Sequence, residues 1–445
     1  MRFSDLDGKR VGVWGLGRET RSFARQLTER LPRAPLAVVV REDSSDTATE
    51  PQWEGAAVVG PEDAVAALSG CDVLVRSPGV SIHKPELQEL AAHGIATTTA
   101  TALWIAERRG RNVIAVTGTK GKSTTAALLA HLLSSERVTH LAGNIGLPAL
   151  DLLDVPVAEW VVLELSSYQI ADLRQGPQVA AITNLYREHL DWHRSEDAYR
   201  REKLRLFSLP GVIGCAYPPR FPDVEAAVAV CPRRVPFGVQ SGWHVTDDGT
   251  VAHGDGTVLA QGDLPLRGPH NALNLCAALA AIEAAGLPRT RLPDALERVV
   301  PLPHRLQTVF DRDGVEWIDD SISTTPESSL AAIAAFPERP VVLIAGGMDR
   351  DQDYAELARA AAEREVVLVV LPVTGSRLAD AARDAGLGED RIIAADAMED
   401  AVEAARRRAT PGAVVLLSPA APSFNSYRNF EERGDHFASL AVRAP

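Results

Sequence analysis

The stretch Val113-Ile-Ala-Val-Thr117-Gly118-Thr119-Lys120-Gly121-Lys122-Ser123-Thr124 decides the fold. A short apolar run enters a turn punctuated by two glycines, and a run free of glycine and proline, Lys122 to Ser135, follows at once. Strand, tight turn and helix in that order open a βα unit. The backbone N–H groups of such a turn, with the positive end of the helix it feeds, suit a phosphate. A lysine and a hydroxyl just after the second glycine are the groups that bridge outer phosphates and meet Mg²⁺ in a nucleoside-triphosphate loop. Gly118, Thr119, Lys120, Gly121, Lys122, Ser123 and Thr124 are therefore the expected ATP-binding set. The loop is compressed, because Val116 stands where the longer G-x-x-x-x-G-K form carries its first glycine.

On either side of this unit the same alternation continues. Arg10–Trp14, Ala37–Arg41 and Asp72–Arg76 read as strands, with helices over Thr20–Arg30 and Pro85–His93. The charged patch Arg108-Arg-Gly-Arg111 precedes the strand of the phosphate loop, and another strand follows at Trp160–Leu165. Residues 211–266, with DG and GDG turns, read as a small β insertion or a subdomain edge. Asn271–Ala285 returns to a helical pattern. After Pro301-Leu-Pro303, strands at Val315–Asp319, Val341–Ala345, Val366–Leu371 and Ala413–Leu417 alternate with helices. The expected division is 1–108, 109–300 and 301–445, in an α/β chain of mostly parallel sheets.

Composition narrows the function classes. The chain has 445 residues, 46% of them hydrophobic and 24% charged, as in an ordinary globular protein. Its net charge of −13 is the wrong sign for coating a duplex, so no nucleic-acid partner is expected. No apolar run approaches the roughly 20 residues that span a bilayer, and the N-terminus lacks the pattern of a signal peptide. Cys71, Cys215, Cys231 and Cys276 lie far apart without a CxxC pair, so a reduced, cytoplasmic protein without a disulfide framework is expected.

The compressed loop resembles the TGTxGK(S/T)T form of the Mur ligase family and its folylpolyglutamate synthase relatives. Further segments fit the same family in order: Gly143-Asn144-Ile-Gly146-Leu-Pro148, Glu164-Leu-Ser166-Ser-Tyr-Gln169, and Asn184-Leu-Tyr-Arg-Glu188-His189-Leu-Asp191. Tyr199-Arg-Arg-Glu-Lys203, Gly268-Pro-His270-Asn271-Ala-Leu-Asn274 and His304-Arg305-Leu306 complete the series. The C-terminal Ser423-Phe-Asn-Ser-Tyr-Arg-Asn-Phe430 segment is similar to the branch that adds glutamate to a UDP-linked muramoyl-alanine. The resemblance implies three domains: an N-terminal Rossmann-like UDP-binding domain, a central P-loop ATPase-like domain and a C-terminal Rossmann-like amino-acid-binding domain. It also implies roles. Lys122, Glu164, His189 and Lys203 are the expected catalytic residues, with Ser123, Glu164, His189 and a carbamylated Lys203 as Mg²⁺ ligands. An unmodified lysine would repel the metal, so the carbamate rests on the resemblance alone. Asn271, Asn274, Arg305 and Asp320 join the ATP site, while Asn144, Ser166 and Gln169 face the muramoyl-alanine substrate.

The outer segments are read partly by their departures. Gly15-Leu-Gly17-Arg18-Glu-Thr20 follows a strand but lacks the third glycine of a dinucleotide fingerprint, which disfavours NAD. By resemblance Gly17, Arg18 and Ser77 contact UDP. Ser321, Thr324, Arg350, Ser423 and Phe430 are the expected glutamate contacts. The family's DSKATN here reads Asp320-Ser321-Ile322-Ser323-Thr324-Thr325, and its lysine after a GG turn is Arg350. Its GDxEL motif is replaced by Thr97-Thr-Thr-Ala-Thr101-Ala-Leu. Exchanging one ammonium for an apolar side chain and another for a planar guanidinium changes how two carboxylates are gripped. The implied activity is ATP-dependent addition of glutamate to UDP-N-acetylmuramoyl-L-alanine through an acyl phosphate, in peptidoglycan precursor synthesis. The L isomer is favoured, with a separate epimerase downstream and a monomeric enzyme. The alternatives are D-glutamate, a folylpolyglutamate-synthase-like ligase, or a P-loop protein that hydrolyses nucleotide to switch shape.

Overall fold

Short runs of valine, isoleucine, leucine and alanine, buried on both faces, form the parallel sheets of the computed structural model. It describes residues 1–42, 51–188, 190–260, 263–266, 268–288, 292–296, 299 and 302–443. The first sheet contains β1 (Val11–Trp14), β2 (Leu36–Val40), β3 (Ala57–Val59), β4 (Val73–Arg76) and β5 (Ala96–Thr98). Their order is β3-β2-β1-β4-β5, all parallel. The second contains β6 (Val113–Thr117), β7 (Thr139–Gly143), β8 (Trp160–Glu164), β9 (Val179–Ile182), β10 (Gly214–Tyr217) and β11 (Arg233–Pro236). It is ordered β11-β10-β9-β6-β8-β7 and is also wholly parallel. A small antiparallel sheet follows, made of β12 (Trp243–Val245), β13 (Val251–His253) and β14 (Gly256–Leu259).

The last sheet contains β15 (Gln307–Arg312), β16 (Val315–Asp319), β17 (Val341–Ala345), β18 (Val367–Val370), β19 (Ile392–Ala394) and β20 (Val414–Leu417). The order is β15-β16-β20-β17-β18-β19, and β15 is its antiparallel edge. Its strands alternate as a sheet covered on both sides must. Ile318, Leu343, Val414 and Leu416 enter one core, and Trp317, Val342, Val415 and Leu417 enter another.

Two compact units hold these sheets. Residues 1–264 with 272–299 form the first, and 265–271 with 300–445 form the second. The first two parallel sheets share a core in the first unit, joining Val11, Val73 and Trp104 to Ala115, Leu163 and Ile182. No helix among the described residues is long and apolar enough to cross a membrane.

Two expectations need correction. Residues 211–266 are not one β insertion: β10, the helix Pro222–Val228 and β11 continue the phosphate-loop sheet, and only β12 to β14 stand apart. The run from Val212 to Val235 hid this βαβ unit because its helix is short and opens on a proline, Pro222, while β10 opens on a glycine, Gly214. The cysteines are not all reduced either. Cys215 and Cys231 form a disulfide with their Cα atoms 6.4 Å apart, because β10 and the start of β11 run side by side. Cys71 and Cys276 are free and buried.

Candidate functional site

The order of the second sheet places its crevice between β6 and β9, whose following connections diverge. Loop 118–121 leaves β6 there. Gly118 has φ +143° and Gly121 φ +77°, both in the left-handed half that glycine tolerates. A Cβ on Gly118 would run into Thr183 at the end of β9, and one on Gly121 into the Asn274 carboxamide. From the β9 side, Asn184 Oδ1 accepts from Thr119 N–H at 3.1 Å and from Lys120 N–H at 2.8 Å. The loop is thus braced from beneath, and the helix Lys122–Ser134 starts directly from it.

Five charged side chains surround the loop. Lys122 Nζ donates to Thr119 O at 2.7 Å, and Lys120 Nζ pairs with Glu188 at 2.8 Å. Lys203, on the helix Glu196–Leu204, is 2% exposed and donates to Gly118 O at 2.6 Å. Burial holds its pKa well below the ordinary lysine value. Repulsion from Lys122 adds to this, against the opposing pull of Glu188 and Glu164. Glu164 ends β8 fully buried. Its Oε1 accepts from Asn144 Nδ2 at 3.0 Å, while Oε2 has no hydrogen-bond partner among the described residues. A buried, half-satisfied carboxylate beside a phosphate loop suits a divalent cation. Among the described residues no cluster of three His, Cys, Asp or Glu forms a metal cage. His189 lies outside the described residues.

Asn144 sits in the loop after β7, where its N–H bonds Glu164 O at 2.9 Å. Ser166 caps the short helix Ser167–Ile170, and Gln169 Oε1 accepts from its N–H and Oγ at 2.7 and 3.0 Å. The Gln169 amide N–H donates to Glu19, a buried carboxylate also bonded by Thr101 at 2.8 Å. Burial raises the Glu19 pKa despite these donors. In the first sheet the crevice falls between β1 and β4. There Gly17 faces Ser77, whose Oγ would stand 2.8 Å from a Cβ at position 17. Arg18 bonds the carbonyls of Gly143, Asn144 and Gly146.

The second unit gathers its own set. Asp320, after β16, is fully buried, and desolvation pushes its pKa up to about 6. It accepts from Leu306 N–H at 3.2 Å and Ser418 Oγ at 2.8 Å, with the Arg305 charge nearby. Arg305 Nε is buried without a partner among the described residues. Ser321 Oγ donates to Phe430 O at 2.8 Å, and the Thr324 carbonyl accepts from Gln352 at 2.7 Å. Ser423 is buried, Phe430 meets His304 edge-on at 6.0 Å, and Arg350 is exposed. Asn271 is buried at the start of the helix Pro269–Ala284, with its N–H on Gly268 O at 3.0 Å.

Residue-type reasoning missed several supports. Tyr199 OH meets Thr119 Oγ1 at 2.8 Å, and Asn184 organises the loop; both open segments read for a later residue. Arg76 is fully buried, bonds the carbonyls of Ser77, Pro78 and Val80, and pairs with Asp172. Arg433, 1% exposed, holds Ser321 through Oγ at 2.9 Å and O at 2.8 Å. Neither arginine carried a motif signal, since Arg76 serves the carbonyls of the turn that follows it and Arg433 those of distant loops.

Comparison with known proteins finds two family matches: a Mur ligase middle domain over residues 116–282, and a Mur ligase glutamate ligase domain over residues 304–421. A protein of Xanthomonas campestris pv. campestris named UDP-N-acetylmuramoyl-L-alanine--L-glutamate ligase is 41% identical, covering 99% of this chain and 97% of its own. A protein of the same name from a Micromonospora species is 42% identical, covering 100% of this chain and 98% of its own. Among solved structures, MurF from Acinetobacter baumannii shares the fold with a TM-score of 0.63 at 18% identity. It covers 100% of this chain and 93% of that one.

Proposed function

The chain belongs to the Mur ligase family, and from that membership we propose that it joins L-glutamate to UDP-N-acetylmuramoyl-L-alanine with cleavage of ATP to ADP and phosphate. The observation that carries the reading is the braced loop 118–121, with Lys122, Lys203 and Glu164 around it. Relatives 41–42% identical to this chain, with 97–98% of their length covered, carry the printed name of that ligase.

Loop N–H groups and Lys122 hold the outer phosphates. The alanyl carboxylate oxygen attacks the γ-phosphorus, the bond to the ADP oxygen breaks, and an acyl phosphate forms. The glutamate amine then attacks the acyl carbon and loses a proton, and phosphate leaves. Both partners in the first step are anions, so cationic groups must neutralise them. Mg²⁺ held by Ser123, Glu164, His189 and carbamylated Lys203 would supply that neutralisation and orient the phosphates. A neutral Lys203 amine suits the modification: R–NH₂ and CO₂ give R–NH–COO⁻ and a proton. Glu164 and Asn144 order one wall of the site, and Ser166 with Gln169 orders the next. Gly17 and Ser77 face the UDP group. Asn271, Asn274, Arg305 and Asp320 serve the nucleotide, and Ser321, Thr324, Arg350, Ser423 and Phe430 receive glutamate.

The reading places 1–108, 109–300 and 301–445 as UDP-substrate, ATP and glutamate domains of a monomeric cytoplasmic enzyme. Ile322 and Arg350 in place of two lysines favour the L isomer, and the product then requires an epimerase to acquire D-glutamate. Parallel assays with ATP, Mg²⁺, UDP-N-acetylmuramoyl-L-alanine and pure L- or D-glutamate test it. One ADP per peptide formed, with L-glutamate preferred, is expected. Preference for D-glutamate overturns the isomer, and nucleotide hydrolysis indifferent to the muramoyl substrate overturns the ligase.

A further inference from the structure

The helix Arg18–Arg30 meets segment 143–154 through a ladder of polar contacts. Arg18 Nη1 donates to Gly146 O at 3.0 Å, and Nη2 donates to Gly143 O at 2.6 Å and Asn144 O at 2.8 Å. Further along the helix, Ser22 and Arg25 bond Asp151 at 2.6 and 2.5 Å, and Arg30 bonds Asp154 at 2.8 Å. Positions 18, 22 and 25 share one helix face, so the whole face is committed to this segment.

The first rung matters most. Gly143 and Gly146 have φ +101° and +68°, so the loop curls tightly but carries the conformational freedom of glycine. Within it Asn144 directs its carboxamide at Glu164 Oε1, the carboxylate whose other oxygen has no partner among the described residues. A planar guanidinium can reach three carbonyls at once, which an ammonium on a single point cannot.

We propose that Arg18 is a positioning residue that fixes loop 143–146 and thereby holds Asn144 against Glu164, rather than a ligand of the UDP group. The proposal deepens the ligase reading and rests on it for the role of Glu164 toward Mg²⁺. Arg18→Ala and the milder Arg18→Lys are compared with the wild type as full chains. Without nucleotide or metal, amide hydrogen exchange at residues 143 and 144 should speed up about 10- to 100-fold, the effect of losing charge-assisted hydrogen bonds. Affinity for UDP by calorimetry should stay within about twofold, while kcat falls and the half-saturating Mg²⁺ concentration rises about tenfold or more. KM for the UDP-linked substrate should barely move. Adding Asn144→Ala to Arg18→Ala should lower kcat no further, because both act through one contact. Unchanged exchange overturns the proposal, as does a large loss of UDP affinity with an unaltered Mg²⁺ requirement. Absence of any peptide product from the wild type overturns the ligase reading instead, while the exchange measurement still judges the loop.

Discussion

Lys203→Met probes the amine buried under the phosphate loop. In the folded chain burial, then repulsion from Lys122, lowers the pKa of this group well below its ordinary value. In the unfolded chain it titrates at about 10.4. Between the two values the unfolded chain binds a proton that the folded chain does not. Stability therefore rises with pH across that window, by about 1.4 kcal/mol per pH unit, and the contribution is lost as pH falls through the folded-state value. The methionine variant lacks this proton. The stability difference, wild type minus variant, should then climb by about 1.4 kcal/mol between about pH 9 and about pH 10. Urea-unfolding midpoints in CO₂-free buffer, measured in parallel at half-unit pH steps, give the difference directly. Parallel curves across the window would mean that Lys203 keeps its proton when folded. The amine could not then attack CO₂ at neutral pH, and the carbamate assignment would fall with it. A climbing difference, followed by a new carbonyl resonance on adding ¹³C-labelled bicarbonate to the wild type but not the variant, is the expected pair of results.

Three further outcomes are expected. Gly118→Ala puts a Cβ into Thr183 at φ +143°, so nucleotide affinity should fall by about tenfold or more; unaltered ATP binding by calorimetry would show that the loop has another seat. Asp320 has a folded-state pKa of about 6, above its unfolded value, so its contribution is present at low pH and lost as pH rises through 6. The wild type should lose about 2 kcal/mol relative to Asp320→Asn between about pH 4 and about pH 7, and equal pH profiles in urea titrations would contradict the burial argument. Ile322→Lys with Arg350→Lys should lower the L-to-D preference in kcat/KM by about tenfold, and an unchanged ratio would remove these two positions from isomer selection.

Much of the fold was legible because parallel strands buried on both faces leave dense apolar signatures. Val341–Ala345 appears as a strand at the positions read from sequence, and the strand read over Asn112–Thr117 appears at Val113–Thr117. Short edge strands were not legible. β3 and β19 have three residues each, with no fully buried residue, so their periodicity carries little information. The βαβ unit of β10 and β11 was lost for a related reason: its helix, Pro222–Val228, spans seven residues, fewer than a helical period makes conspicuous. The Cys215–Cys231 pair followed that error. Two cysteines sixteen residues apart look unrelated until one sees that Cys215 lies in β10 and Cys231 just before the neighbouring parallel strand β11.

The site divides along a different line. Residues that touch reacting groups sit in contiguous motifs, because a phosphate loop needs its glycines, lysine and hydroxyl within a few positions. Residues that hold those motifs in place sit wherever the fold returns. Arg18 reaches loop 143–146 across more than 120 positions, and Arg433 reaches Ser321 across 112. Their targets are mainly backbone carbonyls, which every residue possesses, so the sequence of the target loop carries no mark of the arginine that binds it. Glu19 shows the consequence. Thr101 stands in the segment where the family places an acidic motif, yet its hydroxyl bonds a carboxylate arriving from the first helix. A carboxylate from another element thus stands beside the substituted segment. A departure from a family pattern is therefore evidence of lost function only when the space around it holds no replacement, and at Thr101 that space holds Glu19, bonded in turn to Gln169.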